Sequence, residues 1–303
     1  MDLTGQVVLI TGGSRGLGRA FAQALVAAGA RVAITARGAS ELHEIAAQLS
    51  SAADQVIAIP ADVVDPEAAP RVVAETEQRL GPITLLINNA GQFRAFGRIG
   101  DMDPLEWWNE VEVNLKGPLL YAHAVLPSMR ARRQGRIINV ASIAGLQALP
   151  LLSAYVVSKT ALIRLSESLA QETAEEGIKV FAIHPGTVRT PMNDYVHDSP
   201  EIGRRAPWIQ QWFRTLFAEG GDMPIERSVH LVLRLAAGDA DALSGRYITV
   251  EDDLDALVKQ FGAGGPTLAS RQWNRCVVCG VIKRLRSKLH GAINPFPSLG
   301  HID

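Results

Sequence analysis

The chain has 303 residues, 47% of them hydrophobic, with a formal net charge of −1. That length allows one large domain with a substantial core or two small ones, and the near-neutral balance gives no global sign of a nucleic-acid or acidic-membrane partner. No apolar run approaches the roughly 18 residues of a membrane-spanning helix, so stable membrane insertion is not expected.

From the N-terminus the sequence runs straight into "GQVVLITGG", with no charged segment ahead of a cleavable apolar stretch. Strand-sized apolar runs then alternate with helix-length segments. Val7–Ile10, Val32–Thr35, Val56–Ile59, Leu85–Asn88, Ile137–Val140 and Val180–Ile183 read as strands. They are continuously apolar rather than alternating, which suits a parallel sheet covered on both faces. Between them, Gly18–Ala28, Ser40–Leu49, Pro66–Leu80, Pro104–Arg130 and Ser153–Glu176 read as helices. Asp65-Pro66 and Asp103-Pro104 place a capping acid before a proline at the first helical position. Gly29 and Gly177 are helix stops. A last helix near Ile225–Ala237 and a seventh strand near Arg246–Val250 complete the pattern. Repeated β-α units predict an α/β fold, a doubly wound parallel sheet of about seven strands flanked by helices. One domain over residues 1–261 is expected, with "GAGGP" at Gly262–Pro266 as its boundary.

The first strand-to-helix junction reads "VLITGGSRGLGRA", with Gly12, Gly16 and Gly18 spaced G-x-x-x-G-x-G and Ser14, Arg15 and Leu17 between them. A tight turn there lets backbone approach a diphosphate, and the helix N-terminus supplies N–H groups and positive dipole. This is the Rossmann-type arrangement, although a glycine-rich turn alone carries no proof of a ligand. Just past the second strand stand Ala36 and Arg37, where an acid would hold a ribose 2′-hydroxyl. With Arg15 nearby, two guanidiniums suit a 2′-phosphate, so NADP(H) is preferred and NAD(H) is the alternative. The competing view is that both are surface arginines. "PADV" places Asp62 and Val63 after the third strand, either as an adenine contact or as an ordinary turn before a helix. "INNAG" places Asn89, Ala90 and Gly91 after the fourth, small enough for backbone to pass close to a ribose, with Asn88 in a structural role.

Ser142 stands at the carboxyl end of the fifth strand, where α/β sheets bind ligands. Tyr155 and Lys159 are i and i+4 and share one helix face. A phenol with a pKa of about 10 is a poor acid-base group at neutral pH. An ammonium at ~4 Å with an effective dielectric of ~20 favours phenolate by about 4 kcal/mol, enough to lower that pKa by a few units. Lys159 is also placed to hydrogen-bond ribose hydroxyls, and Ser142 to polarise a substrate carbonyl.

In this order, "TGGSRGLG", "NNAG", Ser142 with Tyr155-x-x-x-Lys159, and "HPGTVRT" resemble the short-chain dehydrogenase/reductases, over about residues 3–260. The resemblance implies hydride transfer between a nicotinamide cofactor and a ketone, aldehyde or alcohol. It adds Asn114, in "EVNLKG", as a fourth catalytic residue that organises a relay water beside the lysine. It adds Pro185, Gly186, Val188 and Thr190 as contacts to the nicotinamide carboxamide. It also implies a homodimer or homotetramer. A non-catalytic NADP(H) sensor on the same fold is the competing function.

The stretch from Pro191 to Pro224 reads as a long loop rich in aromatics, and relatives use it as a substrate lid (about 191–224). Trp208 and Trp212 fit either a lid surface or the core face of a short helix. "FRAFGRI" at Phe93–Ile99 and "GLQALPLL" at Gly145–Leu152 are expected to wall the same pocket, which points to a fairly apolar small molecule. Residues 262–303 depart from the family. Six Lys/Arg against one acid give this end +5, leaving −6 for the rest. It is expected to be a basic, poorly ordered extension. Cys276 and Cys279, the two cysteines of the chain, form a lone C-x-x-C there. The cysteine-free body fits a reducing cytoplasm, and no metal site is predicted.

Overall fold

A computed structural model describes residues 1–50 and 55–261. The seven strands are β1 (Val7–Thr11), β2 (Arg31–Thr35), β3 (Val56–Ala58), β4 (Leu85–Asn88), β5 (Gly135–Val140), β6 (Ile178–His184) and β7 (Tyr247–Thr249). All pair in parallel, in the order β3-β2-β1-β4-β5-β6-β7. After β3 the chain crosses to the other side of β1, so the crevice between β1 and β4 is the topological switch point, where open α/β sheets bind ligands.

The strands are apolar on both sides because each side has its own layer of helices. Val8, Ile10, Val32, Ile34, Ile87 and Phe181 face a core closed by α1 (Gly16–Ala27), α2 (Ala39–Leu49) and α10 (Ile225–Ala237). The alternate residues Val7, Leu9, Ala33, Leu86, Ile137 and Val180 face α3 (Ala68–Leu80), α5 (Gly117–Arg132) and α6 (Ser153–Glu172). Burying one such aliphatic side chain stabilises by roughly 1.5–3 kcal/mol.

Several expectations need correction. α3 starts at Ala68, not Pro66, because Asp65 closes a turn instead, its Oδ1 accepting from the N–H of Glu67 at 2.9 Å. Asp103 does cap α4 (Pro104–Val111), accepting from Leu105 N. The single helix expected over Pro104–Arg130 is interrupted by a π-helical turn at Glu112–Lys116 before α5 begins. Pro118 has no N–H to offer the Asn114 carbonyl four residues back, and a π turn absorbs that misfit. Most of the stretch from Pro191 is not loop. It forms α7 (Pro191–Asp198), α8 (Pro200–Arg205) and α9 (Pro207–Ala218), each with proline at its start. α11 (Leu254–Phe261) ends the described chain. The basic extension with Cys276 and Cys279 lies outside the described residues.

Candidate active site

The glycine turn between β1 and α1 is built for close approach. Gly12 and Gly16 have φ of +67° and +54°, a region that disfavours side chains. A Cβ on Gly18 would lie 2.2 Å from the Gly12 carbonyl oxygen. Asn89 locks this turn by donating its amide to the carbonyls of Thr11 (2.9 Å) and Gly12 (3.0 Å). Its side chain is thus committed to the loop, which leaves its backbone and that of Ala90 to line the crevice. Thr11 Oγ1 in turn accepts from the N–H groups of Asn89 and Ala90. Ser14 is buried in the turn, and Leu17 packs its side chain into the core below. Asn88 ties β4 to β5 through the Asn139 amide at 2.8 Å, the structural role expected of it.

Arg15 and Arg37 are exposed, and neither side chain has a hydrogen-bond or ion-pair partner among the described residues. Asp62 uses one carboxylate oxygen to accept from Val64 N at 3.2 Å, so it does act as a turn acid. Val63 is buried against Gly117. On the far side of the crevice, Pro185 accepts from Ser228, Gly186 packs on Met223, and Val188 is buried with its carbonyl held by Asn193. Thr190 comes back to the glycine turn: a Cβ on Gly16 would lie 3.5 Å from its side chain. The gap between these two segments stays open because Gly16 has no side chain. The N-terminus of α1 behind bare glycines, a space at Gly16 that a Cβ would fill and unpartnered guanidiniums beside it suit a dinucleotide diphosphate. These residues fit such a group.

The catalytic candidates converge at the ends of β4 and β5. Lys159 is buried and donates its ammonium to the Val140 carbonyl at 2.9 Å. Asn114 is buried in the π turn, with Nδ2 donating to Gln92 O (2.9 Å) and Ser158 Oγ (3.1 Å) and Oδ1 accepting from Gln92 N (2.8 Å). A Cβ on Gly91 would lie 3.2 Å from Asn114 Oδ1 and 3.7 Å from Lys159 Nζ, so the bare backbone of Gly91 fills the space between them. Ser142 follows β5 and accepts from Ala144 N at 3.2 Å.

Tyr155 is half-buried, its ring 4.3 Å from that of Phe93 between centroids, with Lys159 Nζ 5.6 Å from its ring centre. The expectation that Lys159 draws this phenol toward neutrality is not met. Burial pushes Tyr155 up to about 12, opposed by the facing Ser142 hydroxyl and reinforced by the Glu110 carboxylate. The reason is that Lys159 shares the burial, which pushes its ammonium down to about 8, and its hydrogen bond goes to Val140. At neutral pH Tyr155 is therefore a phenol.

The two segments expected to wall a pocket pack together. Phe93, Phe96, Leu149, Leu151 and Leu152 form one apolar cluster with Tyr155 and with Val196, Trp208, Trp212 and Phe213 of α7 and α9. Both tryptophans thus face a core that includes Tyr155. Two ties hold the helical segment down: the Arg205–Glu106 ion pair at 3.1 Å and the Arg94 guanidinium 4.8 Å above the Tyr195 ring.

Three polar residues escape a reading by motif. Thr11 is only the last residue of a strand in the sequence. Ser158 lies inside Tyr155-x-x-x-Lys159 as an unmarked position, yet it accepts from Asn114 and donates to the Tyr155 carbonyl. Glu110 carries a signal in its spacing, one helical turn before Asn114. Among the described residues no helix is long and apolar enough to cross a membrane, and no group of three or more His, Cys, Asp or Glu is placed to hold a metal ion.

The short chain dehydrogenase family model matches residues 6–201, more than half of the chain. The chain is 31% identical over 264 residues to a short chain dehydrogenase of Pseudocercospora fijiensis, covering 86% of this chain and 84% of that one. It is 33% identical over 264 residues to the short chain dehydrogenase pigC of Monascus ruber, covering 85% and 82%. Levodione reductase superposes with a TM-score of 0.73 at 28% identity, over 81% of this chain and 96% of that one. An actinorhodin polyketide ketoreductase solved with NADPH gives the same TM-score and identity, over 81% and 95%. Sequence relatives that span most of both chains and solved reductases with the same sheet agree on one conclusion: the chain belongs to the short chain dehydrogenases, a family of oxidoreductases that bind NAD(P)(H).

Proposed function

We propose that this chain is an NADP(H)-dependent reductase that interconverts a ketone or aldehyde with an alcohol, on a fairly apolar small molecule. The observation that carries this reading is a convergence: Lys159 Nζ lies 5.6 Å from the ring centre of Tyr155, which faces the Ser142 hydroxyl, and the Gly91 backbone lies between Lys159 and Asn114.

Gly12 to Gly18, Asn89 to Gly91 and Pro185 to Thr190 would hold the dinucleotide, with Asp62 and Val63 toward its adenine end. When bound, it supplies the hydride. Ser142 donates a hydrogen bond to the substrate carbonyl oxygen and polarises it. Tyr155, protonated at neutral pH, passes its proton to that oxygen as negative charge develops there. Lys159 stabilises the phenolate that results and offers its remaining N–H groups to ribose hydroxyls. The Asn114 amide is spent on Gln92 and Ser158. Its main-chain carbonyl, which Pro118 cannot reach with an N–H, would hold the relay water that the family resemblance gives to Asn114. Alcohol oxidation runs the same steps in reverse.

The unpartnered guanidiniums of Arg15 and Arg37 support a 2′-phosphate, hence NADP(H) over NAD(H). The aromatic cover from α7 and α9 supports an apolar substrate under a 191–224 lid. Leu105, Trp108, Leu119 and Val157 are exposed on α4, α5 and α6, which supports a homodimer or homotetramer. The cysteine-free body suits a cytoplasmic setting.

The deciding experiment follows NADPH oxidation over a panel of ketones, quinones and aldehydes. Turnover with apolar carbonyl compounds is expected. Tight NADPH binding with no turnover across the panel would favour a sensor instead.

A further inference from the structure

Glu110 has no part in the steps above, yet it sits among the residues that perform them. It lies on α4 four residues before Asn114, so both side chains share a helix face. That face meets the strap that follows β4. Asn114 holds Gln92 at its N–H and its carbonyl. Glu110 Oε2 accepts from the N–H of Arg94 at 2.5 Å and of Ala95 at 2.8 Å. Phe93, whose ring lies against Tyr155, is therefore pinned from both flanks.

A neutral amide would make the same two bonds. A carboxylate is a costly choice here, because Glu110 is 0% exposed and its Oε1 is buried with no hydrogen-bond partner. Several charged or titratable groups face it. α6 presents Lys159 and Tyr155. Glu106 lies on α4 itself and is paired with Arg205 of α8. The Arg94 guanidinium turns away, over Tyr195 of α7. Burial pushes the Glu110 carboxyl up to about 7, against the Arg94 and Ala95 N–H bonds and the Lys159 cation, which favour its ionised form, and with Glu106 adding to the rise. In return Glu110 favours the charged form of Lys159 and disfavours the phenolate of Tyr155.

We propose that Glu110 is a positioning residue for this reaction: its carboxylate fixes the Phe93 strap against Tyr155 and couples electrostatically to the Tyr155–Lys159 pair. The proposal rests on the reaction assigned above, so its test has an arm that needs no turnover.

In that arm, the side-chain carboxyls of carbon-labelled glutamate are titrated by NMR in the full chain. One carboxyl titrating near neutrality is expected. Glu110→Gln should remove it, and Lys159→Met should move it to higher pH, because the cation that lowers it is gone. No such signal, or one unmoved in Lys159→Met, overturns the coupling. The kinetic arm uses a substrate from the carbonyl panel. Glu110→Gln keeps both backbone bonds, so KM should stay within about twofold while the pH limb for alcohol oxidation moves to lower pH. An unmoved limb overturns the proposal. Glu110→Leu frees the strap, and KM should rise by about tenfold or more; an unchanged KM overturns the pinning. Should Glu110→Leu not fold, Glu110→Gln still decides. If the wild type turns over nothing in the panel, the reaction assignment fails, while the titration still judges Glu110.

Discussion

The ammonium of Lys159 reaches the main-chain carbonyl of Val140, 2.9 Å away, and so joins the helix of Tyr155 to the strand that delivers Ser142. Thr160 closes the same junction with a 2.8 Å bond to the Gly145 carbonyl. The two hydroxyls proposed to meet the substrate therefore ride on elements bonded to each other. Their separation is set by the sheet and α6, not by the aromatic cover above them.

With that scaffold rigid, removing one oxygen should cost chemistry and little else. Tyr155→Phe is expected to lower kcat by about 10²–10⁴-fold, the usual share of a positioned acid-base group. Titration of NADPH by fluorescence should give nearly wild-type affinity. A variant with wild-type turnover would show that the phenol is not the proton donor.

Cofactor choice should follow charge at the end of β2. Arg37→Asp replaces an attraction for a 2′-phosphate with a repulsion. A charge-assisted hydrogen bond contributes roughly 1.5–3 kcal/mol, so the kcat/KM ratio for NADPH over NADH should fall by about 10- to 100-fold. An unchanged ratio removes Arg37 from the phosphate site.

The glycine turn makes a steric prediction. In Gly18→Ala the new methyl would sit 2.2 Å from the Gly12 carbonyl oxygen, and the turn must open to admit it. Overpacking of this kind costs about 1–3 kcal/mol, read as a lower melting temperature together with weaker NADPH binding. Gly100→Ala is the control: a Cβ there meets nothing within 4 Å, and both readouts should hold.

Glu110 should leave a mark on stability against pH. Its carboxyl is pushed from 4.5 up to about 7, mainly by burial. Between those values the folded chain keeps a proton that the unfolded chain has released. Stability from this group is complete below 4.5 and is lost as pH rises through 7, by roughly 3 kcal/mol. Glu110→Gln escapes that loss. Denaturant midpoints of variant and wild type should diverge, in the variant's favour, as pH rises across the window. His184, which burial holds down at about 4, affects both proteins alike and cancels. A constant difference at every pH would count against an ionising Glu110.

Much of the architecture was legible from residue patterns. Runs such as Leu85–Asn88 are apolar throughout because helices cover both faces, and β4 has those same bounds. α10 likewise spans Ile225–Ala237, the bounds expected for the last helix. Elements went astray where a local signal had two uses. Asp65-Pro66 resembles a helix start, but the same acid closes a turn equally well. The stretch after Pro191 reads as a loop, yet Pro191, Pro200 and Pro207 each begin a short helix. For the site, motif spacing brought Ser142, Tyr155 and Lys159 together. It could not show that Lys159 would be desolvated, because the depth of burial depends on the whole sheet and on α6. Glu110 was passed over because an acid on a helix is usually solvated, and only the path of the strap after β4 reveals that it is not.

The π turn at Glu112–Lys116 has a consequence for changes in chain length. Gly117 N–H bonds back to Glu112 O, so the turn holds one residue more than an α turn. Deleting that surplus, Val113 for instance, would restore ordinary winding while the helices on either side keep their phase. What moves is Asn114, left three residues after Glu110 instead of four, so the cost should fall on its two bonds to Gln92 rather than on the packing of the flanking helices.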